Sequence, residues 1–237
     1  MKKNIIIGLL VMFSFSSFAQ NQLVMDANAS LRELTQGFDK IAVSSTIKLI
    51  ISQGTQIALA VSASDDKYKE EIKTIVKNGT LHIYTAGSTK WSRRSRNNIV
   101  YLSFKDISSL KASEASEVII LDTLSLKSFD VSLSGASRFS ATFKAEQLQF
   151  DLSGASKATC SGYVKKISIN CSGASDMNGF FLYADTAALD ASGASDINIY
   201  VTKDINAEAS GASHISYKGK PEVANLKSSG VSKIMNQ

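Results

Sequence analysis

The chain has 237 residues, of which 44% are hydrophobic and 20% charged, with 14 Gly and a single Pro. That composition excludes a disordered linker or a collagen-like rod. The formal charge of +5 falls to +3 without Lys2 and Lys3, with 24 basic side chains facing 21 acidic ones, a surplus too small to point to nucleic acid as a partner.

Residues 1–19 read as a secretory signal peptide. Lys2 and Lys3 give the positive start, Ile5 to Phe15 the apolar run, and Ser17-Phe18-Ala19 a small-residue cleavage site. The apolar run is short for a bilayer span, and no Cys stands beside the cleavage site to take a lipid. Export to the periplasm, outer membrane surface or extracellular space is expected, with no transmembrane segment in the mature chain. Residues 20–34 form a lead segment.

Residues 35–106 read as an N-terminal β segment. Strands are expected over 38–43 and 46–51 around Ser44-Ser45, and over 56–62. Asp65-Asp66 can cap a short helical turn. Residues 72–77 and 80–85 flank Asn78-Gly79, a strong hairpin signal. Lys90, Trp91, Arg93, Arg94 and Arg96 form the one local charge run and include the only Trp. Guanidinium groups beside an aromatic ring suit phosphate, sulfate or acidic sugar, whereas plain solvation is the common fate of such a run. A strand over 98–104 leads into the repeats, and this whole segment is expected to cap a strand edge.

From residue 107 to 237 the chain repeats. Ser-Gly-Ala-Ser stands at 134–137, 153–156, 172–175, 192–195 and 210–213, with Ser-Gly-Val-Ser at 229–232 and Ser-Glu-Ala-Ser at 113–116. The intervals between first serines are 21, 19, 19, 20, 18 and 19 residues, a period that marks stacked coils. Apolar residues alternate with polar ones on either side of each motif, as in Phe129, Val131 and Leu133 before Ser134, which reads as half-buried strand. Nineteen-odd residues are too few for a helical crossover, and a meander would point alternate copies in opposite directions. The expected fold is therefore all-β, a right-handed parallel β-helix continuous with residues 35–106. A left-handed hexapeptide helix would need a strict six-residue apolar period and constant coil lengths, and neither is present. Ser134, Gly135, Ser153, Gly154, Ser172, Gly173, Ser192, Gly193, Ser210, Gly211, Ser229 and Gly230 are assigned to structural corners.

Stacking turns repeat positions into columns. Two residues before each corner, Asp151, Asn170, Asp190 and Glu208 form an acidic stripe that could bind Ca²⁺ or carry acid–base chemistry, against the simpler reading of a solvated face. Four residues after each first Ser, Asp196 lies beside His214, but nothing completes a nucleophilic triad. Cys160 and Cys171 fall at inward positions and read as buried small hydrophobes, although export permits a disulfide. No phosphate loop, metal-ligand spacing or His-Glu-x-x-His is present, so no catalytic residue, metal or cofactor is assigned.

Gly37-Phe38-Asp39-Lys40-Ile41, Ile47-Lys48-Leu49 with Gln53-Gly54, Val76 to Ile83 around Asn78-Gly79, and the serial Ser-Gly-Ala-Ser motifs together resemble the bacterial family of the putative auto-transporter adhesin, head GIN domain. The resemblance spans roughly 35–236 and departs at Ser44-Ser45-Thr46, where the family often has Ser-Gly-Gly. It implies a secreted β-helical protein typical of Bacteroidota and carries over no catalytic residue. The expected function is an exported, non-enzymatic scaffold that binds a glycan or cell-envelope surface, with an oligomer possible. The competing expectations are a polysaccharide lyase or hydrolase using Asp151, Asp190 and Glu208, and ice binding through hydroxyl ladders.

Overall fold

The computed structural model describes residue 26 and residues 28–86 and 97–237. The signal peptide and the Lys90–Arg96 run thus lie outside the described residues. The first elements in chain order are β1 (Ser30–Arg32), β2 (Lys40–Val43), β3 (Lys48–Gln53), β4 (Ala58–Ser62), α1 (Asp66–Glu71), β5 (Ile72–Lys77), β6 (Thr80–Thr85), β7 (Ile99–Phe104) and β8 (Ser109–Ala112). The long strands β9 (Glu117–Leu133), β10 (Arg138–Leu152), β11 (Lys157–Cys171), β12 (Asp176–Ala191) and β13 (Asp196–Ala209) follow, then β14 (His214–Lys218), β15 (Val223–Ser228) and β16 (Lys233–Asn236). They form a parallel β-solenoid of about seven turns at about 19-residue spacing.

Each long strand runs from one corner motif to the next, so the strands expected on either side of each motif join into one hydrogen-bonded unit. The strand bends where inward–outward alternation breaks. In β10 this occurs at Glu146 and Gln147, both exposed, and the pairing with β11 steps from Ala145↔Val164 to Gln147↔Lys166. The register stacks like positions: Val131, Phe150, Ile169, Leu189 and Ala207 follow one another inside the coil. Phe129, Phe139, Phe143 and Phe150 fill the middle levels, with ring centroids 6.0–6.2 Å apart.

The corners explain the motif. Ser153 N, Ala155 N and Lys157 N donate to Leu133 O, Gly135 O and Ser137 O of the coil below, at 2.9, 2.7 and 2.9 Å. Gly154 has φ 72°, and a Cβ there would stand 2.8 Å from Gly135 O, so only glycine fits both the left-handed backbone and the close approach. Gly and Ala both face solvent, while the last Ser of every motif but the final one, Ser232, is buried. Except at Ser156, its hydroxyl bonds to backbone instead of to the next hydroxyl: Ser195 Oγ donates to Ser192 O (2.9 Å) and Cys171 O (3.1 Å).

Unequal intervals are absorbed by bulges in the strands after the corners and by a slip at Asp185, opposite which β13 carries Thr202 and Lys203. Between Ile119↔Ser140 and Thr123↔Thr142, β9 carries Ile120, Leu121 and Asp122 opposite Ala141. Between Gly179↔Ile199 and Tyr183↔Tyr200, Phe180, Phe181 and Leu182 of β12 are unopposed by β13. Leu182 turns inward and Phe181 outward, at 74% exposure.

Stack order is not chain order at the N-terminal end. β2 pairs in parallel with both β6 and β8, and β3 with both β7 and β9. The level built from 40–53 is therefore sandwiched between the level of 80–104 and the level that begins the repeats. β5 and β4 pair antiparallel to β6 and β7, and β1 to β4, closing this end. The β5–β6 hairpin turns at Asn78-Gly79 (φ 52° and 72°), and Asp65 caps α1 by accepting from Lys67 N. Asp26 anchors the lead segment, accepting from Ser62 Oγ (2.9 Å), Asn28 N (2.9 Å) and Tyr101 Oη (3.1 Å). Burial raises its pKa, but these hydrogen bonds outweigh burial and hold the carboxyl below the usual range.

Candidate functional site

The outward columns are the surfaces this architecture offers. The acidic column exists as a register: Ser132, Asp151, Asn170, Asp190, Glu208 and Lys227 pair in succession. Much of its charge is engaged within the column. Asn170 Nδ2 and Gln149 Nε2 donate to Asp151 at 2.8 and 3.0 Å, and Lys227 Nζ meets Glu208 at 2.9 Å. Asp190 and Glu208 are exposed on the sheet face. A cleft of about 350 Å³ lies on the same column at its opposite end, lined by Ala42, His82, Lys111 and Ser132 among others. There the small Ala42 leaves a notch between His82 and Lys111.

The column after each corner brings Asp196 beside His214, with Nδ1 and Oδ1 3.4 Å apart. Its neighbours make ion pairs, Lys48–Glu117 at 3.4 Å and Lys157–Asp176 at 2.6 Å. Among the described residues no cluster of three or more His, Cys, Asp or Glu has the arrangement of a metal site. Cys160 and Cys171 are free and buried, and burial pushes both thiols up, that of Cys171 to about 12. Among the described residues no helix is long and apolar enough to cross a membrane.

Two further columns escape a reading centred on the corner motif. At the second bend, Lys127, Glu146, Lys165, Asp185, Lys203 and Glu222 alternate strictly in sign. Lys165–Glu146 (3.4 Å) and Lys203–Asp185 (2.8 Å) are ion pairs. All lie seven residues before a first Ser, so extending the repeat comparison that far exposes them. Asp185 also accepts from Tyr163 Oη (2.9 Å) and Thr202 Oγ1 (3.1 Å). Its bonds from Lys203 and Tyr163 hold its carboxyl below the usual range, and the same bond raises the Tyr163 phenol.

On the adjoining face, Lys144, Tyr163, Tyr183, Tyr200 and Lys218 are successive register partners. The Tyr183 and Tyr200 rings sit 4.7 Å apart, tilted by 47°. Phe181 protrudes beside Tyr183, and Lys218 Nζ lies 4.5 Å over the Phe180 ring. Lys144, Tyr163 and Tyr183 each lie nine residues before a first Ser, but register slips between β12 and β13 set Tyr200 and Lys218 off that spacing, so the sequence shows the row only in part.

A family model described as "Putative auto-transporter adhesin, head GIN domain" matches residues 37–221. Among solved structures, the fold is similar to a putative adhesin from Bacteroides fragilis NCTC 9343, at 20% identity over 90% of this chain and 98% of that one, with TM-score 0.78. It is also similar to a putative adhesin from Parabacteroides distasonis ATCC 8503, at 18% identity, 87% and 96% coverage and TM-score 0.70. A putative lipid binding protein from the same organism aligns at 20% identity, 90% and 98% coverage and TM-score 0.67. No curated protein matches the sequence.

Proposed function

This chain belongs to the putative auto-transporter adhesin, head GIN domain family, and we propose that it is an exported, non-enzymatic scaffold that holds glycan or cell-envelope surface along its flat sides. The observation that carries this reading is the in-register stacking of outward polar positions over successive coils. A rigid strip that presents the same chemistry every ~4.8 Å suits many weak contacts made at once, where avidity replaces a single deep pocket.

The test is retention of envelope fractions and glycan-array ligands by residues 20–237, with phospholipid vesicles as a separate arm. Retention without change in the ligand is expected, and replacing Arg93, Arg94 and Arg96 with Ala weakens it if the basic run contributes. Depolymerisation of an arrayed polysaccharide by the protein alone would replace the scaffold with a lyase or hydrolase, and Asp151→Asn, Asp190→Asn and Glu208→Gln would then identify its acids. Failure of every arm to retain ligand overturns the reading.

A further inference from the structure

We propose that the row Tyr163–Tyr183–Tyr200, flanked by Lys144 and Lys218 and extended by Phe181, is a binding site for an extended acidic polysaccharide. This rests on the glycan-binding reading and assigns it to one face.

Three aromatic side chains on consecutive coils are an unusual load for a solvent face. Tyr163 and Tyr183 remain 42% and 44% exposed, and water-facing rings usually find a partner or stay scattered singly. The row follows the stack axis, and four coil steps separate Lys144 from Lys218, roughly 19 Å at ~4.8 Å per step. One step is close to the advance of one pyranose in an extended chain, so consecutive sugars can meet consecutive rings.

The chemistry of the row matches both halves of a uronic acid unit. Aromatic rings offer apolar, electron-rich surface to the C–H face of the sugar and phenolic hydroxyls to its rim. Lysines at the two ends offer point charges to carboxylates without demanding one fixed angle. Beside the row, the bond from Tyr163 Oη to Asp185, itself held by Lys203 and Thr202, fixes one phenol before any ligand arrives, which lowers the ordering cost of binding. The bulge of β12 supplies the last element. It adds residues to β12 at this edge and turns Phe181 out beside Tyr183, the kind of re-aiming for which bulges are used.

The test is titration of residues 20–237 with polygalacturonate, with uncharged dextran as the control. Binding of polygalacturonate that weakens with added salt is expected. Tyr183→Ala and Phe181→Ser should each reduce affinity at least tenfold, and the double change Lys144→Met with Lys218→Met several-fold, with far-UV circular dichroism unchanged. Phe181 is so exposed that its replacement leaves the fold intact, which keeps the test valid should Tyr183→Ala unfold. No binding of polygalacturonate, equal binding of dextran, or binding indifferent to Phe181→Ser would each overturn the site. Envelope retention that survives Tyr183→Ala would overturn this site while leaving the scaffold reading in place. Loss of all retention by the unaltered protein would overturn both.

Discussion

Ser195 and Ser156 hold equivalent places two corners apart, yet their hydroxyls differ. Ser195 Oγ donates to two carbonyls, whereas Ser156 Oγ is buried without a partner. Ser195→Ala should cost about 1 kcal/mol in urea unfolding, and Ser156→Ala should be neutral or slightly stabilising because it removes an unsatisfied buried group. Equal losses at both sites would show that the corner hydroxyls act in some other way. Cys171 gives a second residue-scale prediction. Its thiol pKa is raised from 9.0 to about 12 by burial, so its contribution to stability is complete below pH 9 and is lost as pH rises from about 9 to 12. In that window Cys171→Ala should flatten the alkaline fall in unfolding free energy relative to the parent, and parallel curves would refute the assignment.

Strand by strand, the alternating column at the second bend does for register what the inward residues do for face. Like charges in adjacent coils repel, and a slip of one coil would set Lys over Lys and Asp over Glu along this edge. Lys165→Glu places three acids in succession at 146, 165 and 185. These side chains are exposed, and each pair is worth at most about 1 kcal/mol, so a fall of about 2–4 °C in Tm at low ionic strength is expected. The fall should shrink at high salt; a salt-independent fall would implicate packing instead. The corner motif, the inward residues of 129–133 and the Asn78-Gly79 hairpin were legible in the sequence because each is a local pattern with one backbone solution. The pairing of β2 with β6 and β8 was not, since strands of similar composition carry no mark of which edge they meet. The Phe181 bulge was also hidden: intervals of 20 and 18 residues show that something slips, but not where along the coil.

Considered as one body, the solenoid has unlike ends. Antiparallel strands close the first level, and Asp26 ties the lead segment across it. At the other end, β15 is exposed along its whole length and Val223, Leu226, Val231 and Met235 face solvent. Hydrogen exchange should therefore be graded, fastest in β15 and β16 and slowest around Phe139, Phe143 and Phe150. Uniform protection to Asn236 would mean that something covers the last coil in solution. The interleaved first levels have a bearing on how the molecule is made. A polypeptide emerging amino-terminus first cannot complete the level of residues 40–53 until residue 120 has followed, because both of its neighbours come later. From then on each new turn is laid on a finished template, so construction has one seed and one advancing front. Reach along the axis can then change by whole turns at that front while the seed stays as it is.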